Sequence, residues 1–137
     1  MVIVVCMEER RGMLFNKRRV SRDAVVYQDL LNSCPQKLWM NRYSSPLFSQ
    51  FPQERLRIAE DFLQQAATGD WCFVENQCLQ SYEPVIEAVV IYQWNRRYPA
   101  DFYFDLDLTQ WKLQSSKEFA GASHEKITKE LYRRQTL

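Results

Sequence analysis

The chain has 137 residues and a mass of 16.4 kDa; 46% of its residues are apolar and 26% charged. These proportions exclude a disordered or fibrous chain, and the length suits a single domain, residues 1–137, able to bury a continuous core without metal or disulfide staples. Eighteen Lys and Arg against seventeen Asp and Glu leave a net charge of +1, which excludes a general polyanion binder but not a local basic patch.

The opening run Val2–Met7 is continuously apolar and β-branched, which predicts a central strand covered on both faces. Glu8, Glu9, Arg10 and Arg11 follow directly. The run is too short to span a membrane and has neither a basic leader nor a small-residue cleavage site, so a cytoplasmic protein with no membrane association is expected. Glu8 to Val20 reads as a polar, basic loop, after which Ser21 is placed to cap a helix with its apolar stripe on Ala24, Tyr27 and Leu31, and Leu30 beside it. Pro35 sets the limit of that helix, because proline disfavours helical geometry in the residue before it. Lys37 to Asn41 predicts a short strand, and Ser44 to Phe48 a short helix.

From Ile58 to Ala67 the residues Ile58, Ala59, Phe62, Leu63 and Ala66 share one helical face, with Gly69 placed to end the helix. Trp71–Val74 predicts a strand, Gln77–Glu83 one or two helical turns before Pro84, and Ala88–Trp94 a further strand. This alternation predicts a three-layer α/β fold, a mainly parallel sheet flanked by helices. A C-terminal antiparallel hairpin follows, with arms at about Lys112–Phe119 and Lys126–Arg133 around the Ala120-Gly121-Ala122 turn, although Ile127 and Leu131, four residues apart, would suit a terminal helix as well.

The cysteines Cys6, Cys34, Cys72 and Cys78 form no C-x-x-C pair, and His124 is the only histidine. Free thiols are therefore expected, Cys6 and Cys72 as small core hydrophobes, and no zinc site. Asp101, Asp105 and Asp107 have the spacing of a metal loop but lack the glycine and closing glutamate of a calcium hand. Trp39, Trp71, Trp94 and Trp111 all border strands, as core or rim aromatics do. Tyr92, Trp94, Arg96 and Arg97 carry a faint aromatic and basic pattern of the kind that reads RNA.

The densest feature is basic: Arg10, Arg11, Lys17, Arg18, Arg19 and Arg22 are six of the eighteen cations, all between positions 10 and 22. They lie between a central strand and a helix N-terminus, where α/β sheets bind ligands and where an anion is favoured. Some counter-charge is required. Glu8, Glu9, Asp23, Asp105 and Asp107 can supply it from within, or a phosphate-bearing ligand can supply it from outside.

Three stretches resemble the dihydrofolate reductase family, in order and across most of the chain. Leu38-Trp39-Met40-Asn41-Arg42-Tyr43-Ser44 looks like that family's apolar strand followed by Gly-Arg-x-Thr or Gly-Arg-x-Ser. Trp71–Asn76, Gln77–Pro84, Val85–Trp94 and Asp101–Phe104 keep the register of strand, Gly-Gly, short helix, Pro, strand and aspartate. Trp111, Ser115–Phe119 and Ser123-His124 resemble the closing hairpin. The resemblance implies NADPH as cofactor, Arg42 on its adenosine phosphate, and Asp23 as the acidic residue that meets the pterin ring.

The departures matter as much. Glu75-Asn76 replaces the two glycines that admit the pyrophosphate, and a carboxylate there repels phosphate. Asn41 replaces the glycine before the arginine, and the segment from Ser49 to Ile58 is too short for the strands the family places there. The expectation is a reduced dihydrofolate reductase-like domain without normal reductase activity. It would bind an anionic small molecule, nucleotide or partner through Arg18, Arg19, Arg22, Asn41, Arg42, Ser44, Glu75 and Asn76, with Asp23 and His124 as candidate catalytic groups. The alternatives are an NADPH-dependent reductase of another substrate and an RNA-binding or protein-adaptor domain.

Overall fold

A computed structural model describes residues 1–135. Its main sheet has seven strands in the order β5-β4-β6-β1-β7-β10-β9: β1 Val2–Met7, β4 Leu38–Met40, β5 Leu56–Ile58, β6 Trp71–Phe73, β7 Ala88–Gln93, β9 Trp111–Phe119 and β10 Ile127–Arg134. The pairs β5·β4, β4·β6, β6·β1 and β1·β7 are parallel, while β7·β10 and β10·β9 are antiparallel. The predicted fold class, the central position of β1 and the closing hairpin are all present.

β1 sits in the middle because both of its faces are apolar. Val2 and Val4 enter one hydrophobic layer with Val26, Tyr27, Leu30 and Leu31 of helix α1 (Ala24–Ser33), while Ile3, Val5 and Met7 enter the other with Phe62, Leu63 and Leu79. β7 divides in the same way, with Ala88, Val90 and Tyr92 on the α1 side and Val89 and Ile91 opposite. Two-residue periodicity thus gives each strand two dry faces and the sheet two covering layers. Complete burial of Leu30 alone removes an isobutyl group from water, worth about 2 kcal/mol.

Several local expectations change. Asp23, not Ser21, caps α1, because its Oδ1 accepts the Val25 N–H at 2.9 Å; the buried stripe is Val26, Tyr27, Leu30 and Leu31, with Ala24 exposed. The stretch read as a loop folds into a second sheet, β3-β2-β8, from β2 Gly12–Phe15, β3 Arg18–Arg19 and β8 Phe102–Tyr103. Asn16 (φ 50°) and Lys17 (φ 64°) turn β2 into β3 with positive φ at both central positions, the two-residue turn that matches strand twist.

The helix expected over Ile58–Ala67 shrinks to α2, Phe62–Gln65. Ile58 instead ends β5, so the segment after Ser49 does hold a strand, paired with β4. The turns expected at Gln77–Glu83 form three residues later, as a 3-10 helix at Gln80–Val85. There Asp105 accepts the N–H groups of Leu79 and Gln80 at 2.8 and 3.2 Å. Asp107 likewise caps the turn Leu108–Gln110, and Asp101 accepts from Asn16 N, so these three carboxylates serve three separate backbone sites. No helix among the described residues is long and apolar enough to cross a membrane.

Candidate functional site

The loops that follow β1, β4 and β6 meet at the carboxyl ends of the parallel strands, the position at which open α/β sheets hold ligands. Glu75, two residues past β6, is buried there. Arg19 Nε donates to its Oε2 at 2.9 Å, Arg19 Nη2 to its Oε1 at 3.1 Å, and Ser44 Oγ to Oε1 at 2.8 Å. Tyr43 encloses the arginine: its hydroxyl accepts from Arg19 N at 2.7 Å, its carbonyl from Nη2 at 3.1 Å, and its ring lies 4.6 Å from the guanidinium carbon. Alongside, Asn41 Nδ2 donates to Asn76 Oδ1 at 2.8 Å.

Five of the residues singled out from sequence therefore converge: Arg19, Asn41, Ser44, Glu75 and Asn76. Together they tie the hairpin β2–β3, the end of β4 and the end of β6 into one polar lock. The counter-charge of Arg19 is Glu75, a carboxylate absent from those weighed for the basic cluster. Cys6 lies beneath, its thiol pushed well up by burial and further by the Glu75 carboxylate, against the lowering influence of Arg19.

The basic cluster does not line one mouth. Arg10 pairs with Glu8 at 3.8 Å, and Arg11 donates to the Leu106 carbonyl and covers the Phe104 ring. Lys17, Arg18 and Arg22 are exposed, with no ion pair among the described residues, and they border three different clefts. Lys17 lies in one of about 660 Å³ with Asn16, Tyr43, Asn76 and Phe102. Arg18 lies in one of about 480 Å³ with Phe15, Val20, Tyr98 and Pro99, and Arg22 in one of about 400 Å³ with Tyr27, Phe51 and Ser123. The local sequence concentrated these cations; the reversal at Asn16-Lys17 separates them. Arg42 is exposed beyond β4, its N–H donating to Glu60 Oε2 at 2.9 Å.

Asp23 and His124 come together, both buried, with Asp23 Oδ2 2.9 Å from His124 Nδ1. Asp23 also accepts from Val25 N, Ala122 N and Ser123 N, each at 2.9 Å, and from Ser123 Oγ at 3.2 Å. Burial opposes its charge, but the Ala122 and Ser123 N–H groups, His124 and Val25 N outweigh it and hold the carboxyl well below the usual range. On the far side of the imidazole, Ser21 Oγ lies 2.9 Å from Nε2 and the Tyr98 hydroxyl 3.2 Å. Trp94 stacks on the ring at 4.7 Å and 24°.

Sequence reading missed Ser21 in this role, taking it for the helix cap, and missed Tyr98 altogether. A lone histidine beside an unassigned hydroxyl carried no local signal. Tyr92 and Trp94 are buried, so the faint RNA-reading pattern has no exposed aromatic platform. Trp39 and Trp111 are core residues capped by Arg57 and Arg134, as expected of aromatics at strand borders.

No family model and no curated protein matches the chain. Among solved structures, a dihydrofolate reductase from Enterococcus faecalis, complexed with NADP(H) and RAB-propyl, superposes with a TM-score of 0.69 at 9% identity, covering 98% of this chain and 96% of that one. The chain has a dihydrofolate reductase-like fold, over nearly its whole length.

Proposed function

We propose that the chain is a dihydrofolate reductase-like domain that does not carry out normal nicotinamide-dependent reduction and binds an anionic small molecule or nucleotide beside the β2–β3 hairpin. One observation carries this reading: the buried Glu75 carboxylate, held by Arg19 and Ser44, fills the turn after β6. That turn is where the resemblance calls for two glycines and a pyrophosphate. A phosphate would meet side chains in place of open backbone N–H groups, and an acceptor with no proton to offer.

The state of Asp23 supports the same conclusion. Both of its oxygens already accept from donors inside the protein, so the carboxylate has little left for a pterin ring. Ligand capacity moves outward, to the cleft of about 660 Å³ in which Lys17 supplies a positive charge, Asn76 an amide, and Tyr43 and Phe102 aromatic walls. A nucleoside phosphate has the matching chemistry: a flat ring, hydrogen-bonding edges and negative charge.

Calorimetric titration with ADP, and NADPH titration followed by tryptophan fluorescence, test the reading. We expect micromolar ADP affinity that weakens at least tenfold in Lys17→Glu, and no reduction of dihydrofolate by NADPH. Micromolar NADPH binding with turnover would restore the reductase, and the absence of any nucleotide or pyrophosphate binding to millimolar concentration would remove the anion site.

A further inference from the structure

We propose that Ser21, His124 and Asp23 form a nucleophilic triad, giving the chain an esterase activity on carboxylic esters at Ser21, separate from the nucleotide reading above. The three side chains stand in the required order: Asp23 Oδ2 to His124 Nδ1 at 2.9 Å, and His124 Nε2 to Ser21 Oγ at 2.9 Å. Asp23 accepts from Nδ1, which puts the imidazole proton there and leaves the Nε2 lone pair facing Ser21 Oγ, with the Tyr98 hydroxyl farther off at 3.2 Å. Trp94 against the ring face and three backbone N–H groups on the carboxylate fix the orientation of both groups before any substrate arrives.

The placement of Ser21 separates this reading from a purely structural pair. Joining the β9–β10 turn to the start of α1 needs only Asp23, the Ala122 and Ser123 N–H groups and His124. It does not need the second imidazole nitrogen aimed at a half-buried hydroxyl. The residues on either side of Ser21 line two clefts, Val20 the one of about 480 Å³ with Tyr98 and Arg22 the one of about 400 Å³. Phe15, Val20, Tyr98 and Pro99 give the first cleft an apolar wall for an acyl group, and Arg18 at its edge favours an acyl chain ending in a carboxylate.

The chemistry closes without a cofactor. Ser21 Oγ bonds to the ester carbonyl carbon as its proton passes to His124 Nε2. The tetrahedral intermediate then collapses, its carbon–oxygen bond to the alcohol breaks, and the alcohol leaves with the Nε2 proton. Water attacks the acyl-Ser21 ester by the same route, giving its proton to Nε2, which returns it to Ser21 Oγ as the carboxylic acid departs.

A fluorophosphonate probe followed by peptide mass analysis, together with p-nitrophenyl acetate and mono-p-nitrophenyl succinate hydrolysis, tests this on the full chain. We expect modification of Ser21, hydrolysis that falls to the buffer rate in Ser21→Ala with unchanged thermal midpoint, and at least a hundredfold slower labelling in Asp23→Asn. Ser21→Ala removes only one half-buried oxygen, so it remains informative if Asp23→Asn fails to fold. Folded wild-type protein left unlabelled at Ser21, or hydrolysing both esters no faster than Ser21→Ala, overturns the triad. Neither result bears on ADP binding, and Lys17→Glu is expected to leave the labelling rate unchanged.

Discussion

Arg19 and Glu75, 56 positions apart, form a two-pronged ion pair at 2.9 and 3.1 Å that spans the ends of β3 and β6. The Glu75 side chain is 9% exposed and that of Arg19 21%, so water screens the pair only weakly. Removing one partner leaves a nearly buried charge with little compensation, whereas removing both charges leaves none.

Arg19→Ala should therefore cost about 3 kcal/mol, and adding Glu75→Gln should recover much of it. Urea unfolding of the two single variants and the double variant measures the coupling. Strictly additive losses would show that the pair does not act as a unit.

Asp23 gives stability a definite pH dependence. Its folded carboxyl lies well below the unfolded value of about 4, so its contribution is fully present above that pH and drains away as the solution is acidified through and below it. Asp23→Asn should cost about 3 kcal/mol at pH 7, and the gap to wild type should narrow progressively below pH about 4. A gap that stays constant from pH 7 to pH 2 would contradict this assignment.

Gly121 lies against the same carboxylate. A Cβ there would come within 2.4 Å of Asp23 Oδ2 and 3.1 Å of the His124 carbonyl, and the carboxylate is held by too many donors to yield. Gly121→Ala should lower stability by about 1–3 kcal/mol. Gly12→Ala should do likewise, since its Cβ would meet Ala100 Cβ at 2.3 Å. Thermal midpoints equal to wild type would show that the turn at Gly121 has more room than its contacts indicate.

The four thiols should separate cleanly. Cys78 is exposed, whereas burial pushes the thiols of Cys6 and Cys34 up, and that of Cys72 up to about 12. Ellman's reagent should titrate one thiol rapidly in the native protein and four after denaturation. Two or more fast thiols would show that the sheet opens more readily than its packing suggests.

Much of the fold was legible along the chain because it is encoded over short distances. The β-branched run Val2–Met7, the apolar stretches at Leu38–Met40, Trp71–Phe73 and Ala88–Gln93, and the break at Pro35 each act on their own neighbours, whereas Pro84 lies inside the 3-10 helix Gln80–Val85 instead of ending it. The β2–β3 hairpin was the local miss: Met13-Leu14-Phe15 before Asn16-Lys17 carried a strand-and-turn signal that the surrounding charges obscured.

Residue types and periodicity by themselves determined a central two-faced strand, a mainly parallel sheet with an antiparallel closing hairpin, and the chemical groups available near its carboxyl edge. Only the tertiary structure decided which groups meet. Asp23 and His124 are 101 positions apart, and Arg19 and Glu75 are joined through a turn that sends neighbouring cations to different clefts. Strand and helix periods repeat every two or four residues and so can be read in a short window. A hydrogen bond between distant side chains depends on the register of every strand between them, which no such window contains.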